Sequence, residues 1–185
     1  MKTTLTYKHY KSEDFGFVRE FPRNEYALRP SVYCIAFDEK GNIPTIHYES
    51  LENVFIIPGG GVEPGETHED AVKREVREEV GCTIDDLEIL GTFDSFSNKL
   101  KKNYLTTIYR ARIVEKNQPK PAEKYEWKAE VVWKTLKELI SFFQVSIQTA
   151  SRDIKSNGAI AKAYSDEYDD RTLIVMEILS DTGMM

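Results

Sequence analysis

The sequence lacks the features that mark membrane, secreted and disulfide-bonded proteins. No uncharged apolar run approaches the roughly 18 residues that a membrane-spanning helix needs. The first eight residues carry charge with no apolar stretch behind it, so they do not resemble a secretory signal. Cys34 and Cys82 are the only cysteines and form no CxxC spacing, which argues against a structural zinc or disulfide framework. We therefore expect a cytoplasmic protein without a membrane partner.

An excess of positive charge is also missing. Lysine and arginine total 25 against 31 aspartates and glutamates, so the net charge is −6. A chain of this sign is repelled by a nucleic-acid backbone, and we expect no nucleic-acid partner. If the protein binds phosphates, groups close to the site must overcome this repulsion, such as a metal ion, a few arginines or backbone N–H groups.

The 185 residues are enough for one domain, or for one domain with an appendage. We predict an N-terminal arm over 1–26 with a short strand near Phe15–Phe21, a core over 27–145, and a partly helical extension over 146–185 that packs on the core or on a partner. Strands are predicted at five places in the core: Leu28–Phe37, Ile43–Tyr48, Leu87–Phe96, Tyr104–Val114 and Glu130–Trp133. Helices are predicted after Thr67 and over Leu136–Phe143, and Thr172–Leu179 fits either a strand or a helix. This mixture favours an α/β or α+β fold.

The helix after Thr67 carries an unusual row of carboxylates. Thr67 is a good N-cap, and Gly81 ends the helix. Glu75, Glu78 and Glu79 stand at i, i+3 and i+4, so their side chains share one face. Like charges at this spacing repel, and a divalent cation such as Mg²⁺ would turn the repulsion into binding. The alternative is a solvated helix with ion pairs from Asp70 to Arg74 and from Arg74 to Glu78, which the helix alone does not exclude.

The helix and the loop before it match a longer pattern, G-x5-E-x7-R-E-U-x-E-E-x-G-U, in which U is a bulky apolar residue. The matching residues are Gly60, Glu66, Arg74, Glu75, Val76, Glu78, Glu79 and Gly81. Cys82 takes the last position, where isoleucine, leucine or valine is usual. This is the Nudix box, and the chain resembles a Nudix hydrolase. The signal is specific, although the box covers only about an eighth of the chain.

The resemblance implies an α/β/α sandwich with a mixed β-sheet, built from the core over 27–145, and a loop–helix–loop that binds Mg²⁺ or Mn²⁺. It implies metal ligation by Glu75, Glu78 and Glu79, with one of them acting as general base, and a carboxylate oriented by Arg74. A fourth carboxylate is expected before the last core strand, and Glu126 is preferred over Glu123 and Glu130. The candidate substrate-binding residues are Arg29, at the start of the first core strand, and Gly59, Gly60, Gly61 and Glu66 of the loop.

The activity that the resemblance implies is hydrolysis of a pyrophosphate bond in a nucleoside diphosphate linked to another group. Downstream signatures for ADP-ribose, dinucleoside polyphosphate and NADH substrates are not met, so a nucleoside triphosphate, including an oxidised one, is the default. The lysines around the tip of the second hairpin, Lys99, Lys101 and Lys102, fit either substrate steering or a solvated turn. The alternatives are a non-catalytic sensor or regulator that binds a nucleotide derivative, and a hydrolase of ADP-ribose or dinucleoside polyphosphates; a homodimer is a further option. Every charged box position is present, which favours the enzyme.

Overall fold

The computed structural model describes residues 8–15, 17–48, 55–120, 129–145 and 169–184. Eight strands and three helices lie within them. In chain order these are β1 (Lys8–Lys11), β2 (Ala27–Phe37), β3 (Asn42–Tyr48), β4 (Phe55–Ile56), β5 (Gly59–Gly61), α1 (His68–Val80), β6 (Cys82–Ser97), β7 (Lys102–Lys116), β8 (Ala129–Thr135), α2 (136–145) and α3 (Asp169–Asp181).

The strands form two sheets. The larger has the order β1-β6-β7-β2-β5, and the smaller has the order β4-β3-β8. In the larger sheet β1 is parallel to β6 and β2 is parallel to β7, whereas β6 with β7 and β2 with β5 are antiparallel. The sheet is therefore mixed, as the resemblance implies, and the short strand β5 lies at its edge.

Side-chain alternation along β2 creates two cores, one on each face of the larger sheet. Val32, Cys34 and Ala36 pack against the buried side of α1. Ile35, one position out of phase, joins a second cluster that contains buried side chains of α2 and α3. Helices therefore cover both faces of the sheet, which makes the α/β sandwich.

Most of the predicted elements are confirmed. The five predicted core strands are present, and the hairpin strands β6 and β7 are longer than expected. The helix after Thr67 and the helix predicted over Leu136–Phe143 are α1 and α2. Thr172–Leu179 lies within α3, whose buried residues Ile174, Val175, Ile178 and Leu179 follow helical spacing.

The strand predicted near Phe15–Phe21 is wrong. The only strand that the structure describes in this arm is β1, which lies earlier in the chain, and Ser12–Phe15 forms a short 3₁₀ turn. Arg19, in the middle of the predicted strand, donates to Glu13 and to the buried Asp94. These side-chain bonds hold the segment in an irregular path that the aromatic residues of the sequence do not reveal.

Among the described residues, none of the helices has both the length and the apolar character required to cross a membrane. Cys34 and Cys82 are both buried free thiols. Burial raises the pKa of both thiols, and that of Cys82 rises to about 11.

Candidate active site

Local signals in the sequence set the ends of α1. The Thr67 hydroxyl accepts a hydrogen bond from the backbone N–H of Asp70 at 3.1 Å, as expected of an N-cap. Gly81 ends the helix in the left-handed conformation with φ of 69°. A Cβ at Gly81 would lie 2.3 Å from the carbonyl oxygen of Asn117, so the chain that passes the helix end also requires glycine. The two caps set where α1 begins and ends, and its buried apolar residues set the face that meets the sheet.

Strand β5 holds one of the box carboxylates through its backbone. The N–H of Gly59 donates to Oε2 of Glu79 at 2.8 Å. The strand lies so close to β2 that a Cβ at Gly59 would come within 2.2 Å of the Val32 carbonyl oxygen. Glycine at this position therefore lets β5 approach β2 and aim a backbone donor at α1.

The next two glycines contact charged side chains on opposite sides of β5. A Cβ at Gly60 would lie 2.5 Å from Oε1 of Glu75, so the Glu75 carboxylate occupies the space that a side chain would fill. A Cβ at Gly61 would lie 2.7 Å from Nη2 of Arg29. Three consecutive glycines thus bring Glu79, Glu75 and Arg29 to one short segment.

Arg74 connects the loop to the helix. Its Nε and Nη2 donate to the two carboxylate oxygens of Glu66 at 2.9 and 3.0 Å. Its Nη1 donates to Glu75 at 2.8 Å and to Glu78 at 3.3 Å, and Nη2 also reaches the carbonyl oxygen of Gly61 at 3.0 Å. The Arg74 guanidinium holds the pKa of the Glu66 carboxyl below its usual value, and the carboxylates raise the pKa of Arg74.

Carboxylate oxygens are the ligands that Mg²⁺ and Mn²⁺ prefer, and glutamates 75, 78 and 79 supply three carboxylates beside β5. All three are half-buried rather than fully solvated. Within the part of the chain that the structure describes, no three His, Cys, Asp or Glu side chains converge closely enough to hold one ion. The Arg74 guanidinium bonds two of the three carboxylates instead. The space that Gly60 leaves for the Glu75 carboxylate, and the three carboxylate donors, fit a hard divalent cation. Glu75 and Glu78 would then bind both the cation and the Arg74 guanidinium.

The structure brings together nine of the ten residues that the sequence predicts for the site. They are Arg29, Gly59, Gly60, Gly61, Glu66, Arg74, Glu75, Glu78 and Glu79. The tenth, Glu126, lies outside the described residues, as does Glu123. Glu130 is exposed on β8, opposite His47 in the smaller sheet. The ion pair predicted from Arg74 to Glu78 is present, whereas Asp70 bonds Thr67.

Sequence reasoning missed two backbone groups, the N–H of Gly59 and the carbonyl of Gly61. Both belong to β5, whose three glycines the sequence places only in the loop before the helix. The apolar run before Pro58 and the three glycines after it were the available signal, but pairing with β2 depends on residues almost thirty positions earlier.

This loop, helix and sheet define a class of protein. A profile of the NUDIX domain matches residues 27–153, more than half of the chain. The chain belongs to the Nudix family.

Individual relatives are similar over part of their length. The chain is 37% identical to an RNA pyrophosphohydrolase of Sulfurovum sp. (strain NBC37-1) over 75 residues, which cover 38% of this chain and 46% of that protein. It is 26% identical to diphosphoinositol polyphosphate phosphohydrolase NUDT4B of Homo sapiens over 97 residues, 52% of this chain and 54% of that protein. The chain thus spans about half the length of these two relatives. A solved NUDIX hydrolase from Nitrosomonas europaea aligns with a TM-score of 0.49 and 17% identity, covering 61% of this chain and 76% of that one.

Proposed function

We propose that this protein hydrolyses the pyrophosphate bond of a nucleoside diphosphate linked to another group, with a nucleoside triphosphate as the default substrate and Mg²⁺ or Mn²⁺ as cofactor. One observation carries the proposal: Gly59, Gly60 and Gly61 contact, in turn, Glu79, Glu75 and the Arg29 guanidinium. Carboxylates for a cation and a guanidinium for a phosphate thus lie around a single three-residue strand. Similarity to an RNA pyrophosphohydrolase over part of the chain supports the same reaction class.

Glu75, Glu78 and Glu79 are the residues that would hold the cation. When bound, the cation would neutralise the charge of the pyrophosphate and lower the pKa of a water molecule. Hydrogen bonds from the protein position these three carboxylates. The Gly59 N–H fixes one oxygen of Glu79, and Arg74 fixes one oxygen each of Glu75 and Glu78. A glutamate of this set accepts the proton of the attacking water, and Arg29 binds a phosphate oxygen of the substrate.

The test is a panel of nucleoside triphosphates, sugar nucleotides, ADP-ribose, dinucleoside polyphosphates and a 5′-triphosphate RNA, assayed with Mg²⁺ or Mn²⁺ and with the products identified. We expect metal-dependent cleavage of a pyrophosphate bond in at least one of them. Glu79→Gln should abolish turnover with a melting temperature near wild type. The exposed Glu69, on the same helix, provides the matched control, and Glu69→Gln should keep the wild-type rate. Tight binding without any product would instead favour the sensor function.

A further inference from the structure

Two side chains of β2 lie over glycines of β5, on the side opposite the Glu75 carboxylate. A Cβ at Gly59 would lie 2.6 Å from Cδ1 of Tyr33. A Cβ at Gly61 would lie 2.7 Å from Nη2 of Arg29 and 3.1 Å from its Cζ and Nε. An aromatic ring and a guanidinium therefore occupy the places of two missing side chains on one face of the edge strand.

The geometry of β5 sets the distance between these two groups. Positions 59 and 61 are two residues apart, so their side-chain directions are the same and they are separated by about 6.6 Å along the strand. The Tyr33 ring contacts one of these positions and the Arg29 guanidinium contacts the other, so the two groups are about that far apart. A ribose joins a 5′-phosphate to a base across a gap of this size.

The two groups offer different contacts to a ligand. Arg29 is exposed, and among the described residues no carboxylate forms an ion pair with it, whereas Arg19 and Arg74 both pair with acidic residues. Such a guanidinium binds phosphate oxygens. The Tyr33 ring is half-buried and packs against the core cluster that contains Ile35. Aromatic rings held in this way stack on nucleobases.

The residue between them on β2 leaves this gap open. Ser31 lies opposite Gly61 and, by strand alternation, on the same face as Arg29 and Tyr33. Its Oγ lies 2.7 Å from Oγ1 of Thr106 on β7, so the hydroxyl points away from β5. A small side chain turned toward β7 leaves the space between the ring and the guanidinium unfilled.

The carboxylates of α1 lie close to this face, around the edge of the sheet. β5 is the last strand of the larger sheet, and the Gly59 N–H donates to Glu79 there. A pyrophosphate bridge at the glutamates can therefore contact Arg29 around β5, and the group attached to that bridge then lies beside Tyr33. An aromatic ring over a glycine also stabilises a sheet edge by itself, and this purely structural role is what the experiments must separate.

We propose that Tyr33 is a specificity-determining residue that, together with Arg29, forms a subsite for a nucleoside 5′-phosphate. Arg29 binds the phosphate, and the Tyr33 ring stacks on the base. The subsite selects substrates whose pyrophosphate bridge is attached to a nucleoside over substrates in which it is attached to an aliphatic polyol. The inference rests on the proposed function for the reaction, but binding of a nucleotide at the subsite does not require turnover.

The first experiment is calorimetric titration in Mg²⁺ with the α,β-methylene analogues of ADP and GDP and with methylenediphosphonate, which has the same uncleavable bridge without a nucleoside. Tyr33→Leu should weaken binding of at least one nucleotide analogue about tenfold, as expected for loss of one stacked base, and should change methylenediphosphonate binding less than about twofold. Tyr33→Phe should bind all three as the wild type does. Arg29→Gln should weaken all three alike, since each offers it a phosphate.

Phe37→Leu is the matched control, because Phe37 is another half-buried aromatic residue on the same face of β2. It should change binding of each ligand less than about twofold. Equal weakening of all three ligands in Tyr33→Leu would mean that the ring only holds β5 in place. That result, unchanged nucleotide binding in Tyr33→Leu, or no nucleotide binding by the wild type overturns the subsite.

Kinetics then separate this inference from the proposed function. Tyr33→Leu should raise KM for a nucleoside triphosphate about tenfold with kcat nearly unchanged. An unchanged KM in an active variant removes the subsite and keeps the reaction, whereas base-dependent binding without turnover does the reverse. If Tyr33→Leu does not fold, nuclear Overhauser effects in the wild-type protein decide: base protons of the bound analogue should contact the Tyr33 ring, and contact with Phe37 alone or with neither ring contradicts the proposal.

Discussion

Gly60 sets the distance between β5 and the carboxylate of Glu75. The space beside its Cα is filled by that carboxylate, with the nearest oxygen 2.5 Å from where a Cβ would be. A real Cβ cannot be so close, so any other residue moves either the strand or the glutamate. Displacements of about 1 Å in a catalytic group are enough to cost roughly 100-fold in rate.

Gly60→Ala should therefore lower kcat by about 100-fold or more with only a few degrees lost in Tm. Steady-state rates and thermal unfolding measure the two effects. Gly41→Ala is the control, because Gly41 has a φ of 79° but nothing within 4 Å of its Cβ position. It should lose about 1–2 kcal/mol of stability from backbone strain and keep its activity. Full activity in Gly60→Ala would contradict the close contact.

The ion pair of Glu66 with Arg74 gives a prediction about pH. The folded-state pKa of Glu66 is lowered, chiefly by its hydrogen bond with Arg74, so its contribution to stability is present at neutral pH and is lost as pH falls through that pKa. Glu66→Gln should reduce the free energy of unfolding by about 1–3 kcal/mol at pH 7, and the difference from wild type should shrink as the medium becomes acidic. Urea unfolding at several pH values measures it. The exposed neighbour Glu63 supplies the control, and Glu63→Gln should lie within about 0.5 kcal/mol of wild type at every pH.

At the scale of elements, the sequence predicts those features of a helix or strand that are set by residues close together in the chain. Thr67 and Gly81 predict the two ends of α1. The helical spacing of Val72, Val76 and Val80 predicts its buried face. β5 could not be found this way, because three glycines carry no strand preference and become a strand only by pairing with β2.

Helix α3 lies beyond the residues that match the family profile, but its buried side is part of the core beneath the larger sheet. Ile178 is 1% exposed, and its side chain lies 3.1 Å from where a Cβ of Gly91 in β6 would be. Glycine at this position of β6 lets the helix pack closely on the sheet.

Ile178→Ala should therefore cost about 2–5 kcal/mol of stability, because it leaves a cavity between α3 and β6. Ser180→Ala, on the exposed side of the same helix, should change stability by less than about 0.5 kcal/mol. Chemical denaturation of both variants makes the comparison. Similar small effects would mean that α3 is not part of the cooperative core.

At the scale of the whole molecule, ion pairs to a buried aspartate of β6 attach the N-terminal arm to the larger sheet. Asp94 of β6 is 2% exposed and accepts from both Arg19 and Arg23. The Arg19 side chain is 10% exposed, and its guanidinium lies 4.2 Å from the centroid of the Phe96 ring. Arg23 is 58% exposed, so Arg19 is the principal counter-charge inside the protein.

Removing Arg19 leaves the Asp94 carboxylate buried with one solvent-exposed partner, and breaking a buried pair in this way costs about 3–5 kcal/mol. We expect that loss for Arg19→Met in denaturant unfolding. Arg23→Met should lose less than about 1 kcal/mol, since the Arg23 side chain is largely solvent-exposed and Asp94 keeps Arg19 as its buried partner. Adding Asp94→Asn to Arg19→Met removes the buried negative charge that has lost its main partner, and it should recover part of the stability. A double variant that is no more stable than Arg19→Met would show that stacking of the guanidinium on Phe96, rather than the charge of Asp94, attaches the arm to the sheet.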